Sequence, residues 1–271
     1  MFIDIGVNLM HRSFNADREQ VIEAAEAAGV SPLIITGTSE ESSREALDYA
    51  EKYAARGPGK LYATVGVHPH NAKNCGPGTI AALRSLAGRG TARAAEPAGF
   101  AAAVGECGLD YNRDFSPRPV QRKWFEEQIA LAGELGLPLF LHERDAFEDF
   151  AAILEGNRRG ISKMAVHCFT GTAGELEKYL ELDCYIGVTG WICDERRGKH
   201  LGELIKKIPP DRLMIETDAP FLIPRDMPRS GSRNEPKYLP HIAAVTARHL
   251  GKTPELLAEE TFANTRRFFG I

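Results

Sequence analysis

Eight short β-type runs, at residues 2–8, 33–37, 61–67, 102–105, 139–142, 164–169, 184–189 and 213–217, are separated by helical patterns. Strands alternating with helices eight times in succession predict a parallel (β/α)8 TIM barrel. The helix signals agree with this reading. Residues 15–29 open at Asn15 and stop at Gly29, residues 39–57 run from Ser39 to Gly57, and residues 116–136 start with Ser116-Pro117 and end at Gly136. Each has a capping residue or proline at its start and a glycine at its end. Thr172 and Glu175 have capping-box spacing, and Thr253-Pro254 opens a last helix with Leu256, Leu257 and Phe262 on its apolar side. An open doubly wound sheet is the competing arrangement, but no glycine-rich dinucleotide turn follows the first strand. The 271 residues, 43% of them hydrophobic, suffice for one large core, so residues 1–271 are expected to form a single domain. The Ala/Gly/Arg stretch 88–101 reads as an exposed insertion.

Four metal-type side chains stand at or just beyond the ends of these runs: Glu106 in Val-Gly-Glu-Cys-Gly-Leu-Asp, His142 in Pro-Leu-Phe-Leu-His, His167 in Ala-Val-His-Cys-Phe and Asp218 in Ile-Glu-Thr-Asp-Ala-Pro. The gaps between them are 36, 25 and 51 residues. A strand–helix unit takes roughly 30 residues, so these gaps are one, one and two units. In a barrel, the C-terminal strand ends form the active site, which would gather all four at one mouth. Two imidazoles and two carboxylates are a ligand set for a divalent metal hydrolase. A single histidine at a strand end is more often a core or surface group, and Asp-Ala-Pro alone reads as a turn. Glu106 inside an apolar run is harder to explain without a cation, because an unpaired buried carboxylate is costly. Asp4, Asn8 and Glu216 share the same mouth by strand parity and are expected to support the ligands from behind.

Composition narrows the class. The net charge is −4, so an anionic substrate would be attracted by a local patch and not by the global field. Five scattered cysteines without a CxxC point to reduced thiols in an intracellular compartment. No apolar stretch approaches membrane-spanning length, and the N-terminal residues lack a signal-peptide n-region. Loop cations that could grip phosphate are Arg113, Arg144, Arg196, Arg197, Arg225 and Arg233, since arginine offers phosphate a bidentate fork. Tyr111, Phe169, Trp191 and Phe221 could stack bases of a single strand, although Phe169 and Phe221 read equally well as rim packing. His68 and His70 either contact substrate phosphate or are solvated loop residues. His11, His200, His241 and His249 are read as structural. A small-substrate hydrolase, and a non-catalytic protein that keeps a structural metal, are the other function classes.

Phe-Ile-Asp-Ile-Gly-Val-Asn-Leu, Gly-Val-His-Pro-His, Gly-Glu-Cys-Gly-Leu-Asp, His-Cys-Phe-Thr-Gly, Gly-Trp-Ile-Cys-Asp-Glu-Arg-Arg-Gly, Ile-Glu-Thr-Asp-Ala-Pro and Arg-Asn-Glu-Pro together resemble the TatD family of metal-dependent deoxyribonucleases, from residue 2 to about residue 270. The resemblance implies a 3′→5′ exonuclease of single-stranded DNA and some RNA, Mg²⁺-dependent in assay, cytoplasmic, and able to hold one or two ions, with Zn²⁺ or Mn²⁺ alternatives as purified. It places Glu106, His142, His167 and Asp218 at the family's metal-ligand positions. Asp218 is then the group that orients or deprotonates the attacking water, and Glu106 the bridge to any second ion. Substrate contacts are expected from His68, His70, Arg113, Arg144, Trp191 and Arg233. Many members carry Asp-x-His-x-His on the first strand where this chain has Asp4, Gly6 and Asn8, a departure shared by one subgroup. No membrane or protein partner is expected, and the chain is expected to act as a monomer.

Overall fold

The computed structural model describes residues 1–54, 61–89, 100–196, 198–228 and 231–271. Its strands are β1 (Phe2–Val7), β2 (Val30–Ile35), β3 (Leu61–Val65), β4 (Ala101–Asp110), β5 (Leu139–Arg144), β6 (Met164–Val166), β7 (Cys184–Val188) and β8 (Leu213–Ile215). They pair in sequence order in one sheet, every neighbouring pair parallel. The two sheet edges meet: Val7 bridges Ala219, Asp218 N donates to Gly6 O at 2.9 Å, and Asn8 N donates to Ala219 O at 2.7 Å. This is the barrel expected from the alternation. Parallel strands packed on both faces are apolar throughout, and all ten residues of β4 are buried.

The helices are α1 (Arg18–Ala27), α2 (Glu40–Ala54), α3 (Thr79–Ala87), α4 (Arg118–Leu135), α5 (Phe147–Asn157), α6 (Ala173–Glu181), α7 (Leu201–Leu204), α8 (Leu239–Leu250) and α9 (Pro254–Phe269). Phe125, Phe150, Leu154 and Tyr179, from α4 to α6, join the large core against the strands. The last helix has a separate task. Its Phe268 and Phe269 pack with Ile3, Ile5, Phe140, Tyr185 and Met214, while Asn264 donates to Leu213 O and Lys163 reaches Phe268 O, both at strand beginnings. The N-terminal mouth is thus plugged with aromatics. Chemistry is left to the other mouth.

Several boundaries depart from expectation for local reasons. The N-cap of α1 is Asp17, without a side-chain cap bond; Asn15 instead accepts from Arg18. Ser39 does accept from Ser42 N at the start of α2, while Gly57 lies outside the described residues. Gly136 ends α4 in the left-handed region, Thr172 and Glu175 form the full capping box, and Thr253 caps α9. Leu256 is exposed, leaving Leu257 to anchor that face. The supposed insertion 88–101 is shorter than expected. Arg89 pairs with Asp48 and Glu51, Ala101 is a buried strand residue, and residues 90–99 lie outside the described set.

Close approach of the β3 and β4 backbones fixes a small residue at Gly66, where a Cβ would fall 2.6 Å from Gly105. Overpacking of this kind costs about 1–3 kcal/mol. Gly66→Ala is therefore expected to lower the urea midpoint by a corresponding amount, and an unchanged midpoint would show that the two strands can part.

Candidate metal centre

Glu106 sits inside β4, where the pairing register with β5 shifts between Val104 and Cys107. Such an irregularity re-aims a side chain, and Glu106 N is held by Gly37 O at 2.7 Å. Three imidazoles converge on one oxygen of its carboxylate. Glu106 Oε1 lies 2.8 Å from His167 Nε2, 2.9 Å from His142 Nδ1 and 3.3 Å from His68 Nε2. His68 accepts from His70 N through Nδ1, which leaves its Nε2 facing Glu106.

Each ring is braced from behind. His167 Nδ1 meets Glu216 Oε2 at 3.3 Å, and Glu216 Oε1 accepts from Cys168 N at 2.6 Å. Asp110 Oδ2 lies 2.6 Å from His70 Nε2 and 3.4 Å from His142 Nε2, while its Oδ1 accepts from Arg113 N at 2.8 Å. Asp218 is in the left-handed region at φ 52° and accepts from Asn8 Nδ2 at 2.9 Å. Asp4, fully buried, accepts from Thr217 N and Gly6 N. It holds the chain one residue before Asp218.

The charges are strongly coupled. Burial opposes ionisation of Glu106, but the imidazoles of His68, His167 and His142 outweigh it and hold the carboxyl well below its usual range. Burial works against charge on His167 and His142 too; carboxylates outweigh it in each case, Glu106 and Glu216 for His167, Asp110 and Glu106 for His142. His68 is driven the other way by burial, down to about 4. Asp218 is pushed up to about 8, first by burial, with His167 opposing and Glu106 and Glu216 adding to the rise.

This donor set fits a divalent cation. His68, Glu106 and His142 each place one ligand atom within 4.8 Å of the others. Among the described residues His142 Nε2 is buried with no hydrogen-bond partner of good geometry, Asp110 Oδ2 lying 3.4 Å away, and nitrogen–oxygen sets of this kind suit zinc, manganese or iron, with magnesium favouring the oxygens. The expected quartet is partly regrouped. Glu106, His142 and His167 come together, and His68, assigned to substrate from sequence, joins the donor group. Asp218 stands beside it on the same cavity wall, outside that tight triad.

The cavity above the donors measures about 1190 Å³. Lys73, Arg113 and Arg144 line it, and among the described residues their side chains have no ion pair. Trp191, Phe115 and Phe221 line it as well. Other expected members lie elsewhere. Arg233 is committed to Asp17, Glu235 and the face of Phe14, and is not on the cavity wall. Arg196 and Arg225 flank Asp194, and Arg197 lies outside the described residues. Tyr111 is tied to Asp149 and covered by Arg118. Phe169 is buried against Tyr179. His11 and His200, read as structural, do line the cavity. Lys73 was missed altogether. Its only signal was its position five residues beyond His68.

Residues 3–270 match the family model described as TatD related DNase. The chain belongs to the TatD family. It is 47% identical over 270 residues to the 3′-5′ ssDNA/RNA exonuclease TatD of a Rahnella species, covering 99% of this chain and 98% of that one. Identity to the protein of the same name from Klebsiella pneumoniae is 45%, covering 99% and 97%. Among solved structures, the TatD homologue YJJV from Escherichia coli K12 superposes with a TM-score of 0.88 at 28% identity, covering 100% of this chain and 98% of that one.

At the first-strand departure within this TatD-family chain, Gly6 faces the Glu216 carboxylate. A Cβ on Gly6 would lie 2.5 Å from Glu216 Oε2, and one on Gly187 would lie 2.6 Å from Glu216 Oε1. A larger first-strand side chain would need the Glu216 carboxylate to move aside. Asn8, the other departure, holds Asp218. Groups that orient ligating side chains typically contribute 10–100-fold to metal affinity. Asp110→Asn is therefore expected to weaken Mn²⁺ binding by about 10–100-fold in a calorimetric titration; wild-type affinity would mean that Asp110 does not brace His142 and His70.

Proposed function

We propose that this protein is a metal-dependent nuclease that removes nucleotides from the 3′ end of single-stranded DNA or RNA. The observation that carries the reading is a buried His/Glu/His donor group at the floor of an open cavity whose wall presents three cations that have no ion pair among the described residues. The polarity and the single-stranded substrate come from the names of the curated relatives.

His68, Glu106, His142 and His167 are the side chains that would hold the cation, with Asp218 at its side. A divalent ion there supplies Lewis acidity and a water acidic enough to attack at neutral pH. Asp218 would orient the attacking water and take its proton, with Asn8 keeping the receiving carboxylate in place. Lys73, Arg113 and Arg144 hold phosphates of the strand end. Trp191 and Phe221 offer flat faces for its bases, a contact blind to base identity. A cavity of this size meets only a few phosphates, and duplex affinity grows with the number neutralised, so blunt duplex is a poor substrate. We assign magnesium as the working ion in the cell and the cytoplasm as the location, the latter supported by five free cysteines. Every group named lies on one chain, so a monomer suffices. Among the described residues no helix is long and apolar enough to cross a membrane.

A 5′-labelled single strand should shorten stepwise with Mg²⁺, and a phosphorothioate block at the 3′ end or a chelator should suppress the ladder. Equal cleavage of blocked and free strands would overturn the polarity, and no cleavage with any metal would favour a small-ester hydrolase. Asp218→Asn keeps an oxygen but cannot take a proton, so turnover should fall at least about 10²-fold with KM little changed. Arg113→Ala and Arg144→Ala should instead raise KM and make it less salt-dependent, as expected for phosphate contacts; a pure loss of kcat would place these arginines in the chemistry.

A further inference from the structure

A second donor cluster lies away from the catalytic donors and is independent of the proposed reaction. Cys193 ends the 3-10 turn Gly190–Cys193 that follows β7, Asp226 lies in the loop beyond β8, and His241 is in the first turn of α8. One ligand atom from each lies within 4.8 Å of the others. His241 Nε2 is 2.7 Å from Asp226 Oδ1, and the Cys193 thiol, only 3% exposed, stands within 4.8 Å of the same carboxylate. One carboxylate therefore stands beside a thiol and an imidazole at once, with its outer side open to solvent.

We propose that Cys193, Asp226 and His241 form a second metal site, selective for a thiolate-loving divalent ion such as Zn²⁺ and distinct from the catalytic centre. Sulfur, nitrogen and oxygen donors together suit zinc or cobalt and discriminate against magnesium, which takes oxygen ligands. On binding, the sulfur–proton bond of Cys193 is replaced by a sulfur–metal bond and the proton leaves to solvent; nothing is oxidised or reduced. Asp226 and His241 exchange their mutual hydrogen bond for bonds to the ion, and solvent completes the shell on the exposed side. The three donors come from three segments separated in sequence, so the ion acts as a clamp. It joins the turn after β7 to the long loop after β8 and to α8. Trp191 stands two residues before Cys193 on that same turn and lines the catalytic cavity. The clamp thereby fixes the position of one wall of the substrate cavity.

Cobalt reports thiolate ligation directly, through a sulfur-to-metal charge-transfer band in the near ultraviolet. Full-length protein stripped with chelator and titrated with Co²⁺ should develop that band, and Cys193→Ser should abolish it. Cys168→Ser, which removes the one thiol on the catalytic cavity wall, should leave it intact, as should His142→Ala at the catalytic donors. Asp226→Asn and His241→Ala lie at the surface and should weaken the band even if Cys193→Ser proves poorly folded. Zinc analysis should find one equivalent fewer in His241→Ala than in wild type. Absence of the band in wild type, its survival in Cys193→Ser or its loss in Cys168→Ser, or equal zinc content in wild type and His241→Ala would overturn the site.

Discussion

A barrel whose strands are apolar on both faces has no place for a bare carboxylate, yet this one buries Asp4, Glu106 and Glu216 near the strand ends. The cost of desolvating those charges dictates much of the surrounding structure. Glu106 is compensated by three imidazoles on one oxygen, Glu216 by the Cys168 amide and His167, and Asp4 by the amide and hydroxyl of Thr217. The compensating groups come from β8, β3, β5 and β6 or the loops just beyond them. The strands that build the barrel and the groups that build the site are therefore tied by the same bonds.

Glu216 shows how far this constraint reaches. Its two oxygens lie over Gly6 and over Gly187, so a side chain at either position would have to displace the carboxylate. Among the other groups at this mouth, His68 turns to Glu106 and Asp218 is held by Asn8. The left-handed backbone at Cys168 and Asp218 lies directly after His167 and Thr217. Sparsely populated backbone of this kind gathers at functional sites, where surrounding contacts over-determine it.

The net charge of −4 and the cations of the cavity answer different questions. Several of the described surface arginines are paired with neighbouring carboxylates, as Arg84 is with Glu134 and Arg118 with Asp114, and exposed pairs of this kind contribute little to stability. Lys73, Arg113 and Arg144 differ in having no ion pair among the described residues and in facing the donor group across one cavity. The same wall also carries Glu45, Glu143, Asp145 and Glu175, so any pull on an anion there comes from individual cations and not from a uniformly positive surface.

The amino-acid sequence alone determined the barrel, because strand and helix periods, caps and glycine stops are local properties, and eight repeats of one unit leave few topologies. It also placed Glu106, His142, His167 and Asp218 at one mouth, since their spacing counts whole strand–helix units, without showing that His68 joins the donors and Asp218 stands beside them. It placed Glu216 at the mouth by strand parity. Which residues touch was decided by tertiary structure. His68 looks the same in sequence as His70, but only His68 has its Nε2 turned to Glu106, because its other nitrogen accepts from the His70 amide. Arg233 looks like Arg113, yet a carboxylate on α1's N-cap, Asp17, claims it. Phe169 looks like Phe221, but one faces the helical layer and the other faces the cavity. Sequence spacing specifies which end of a strand a residue occupies; the partner it meets depends on loops whose path is set by packing between segments far apart in the chain.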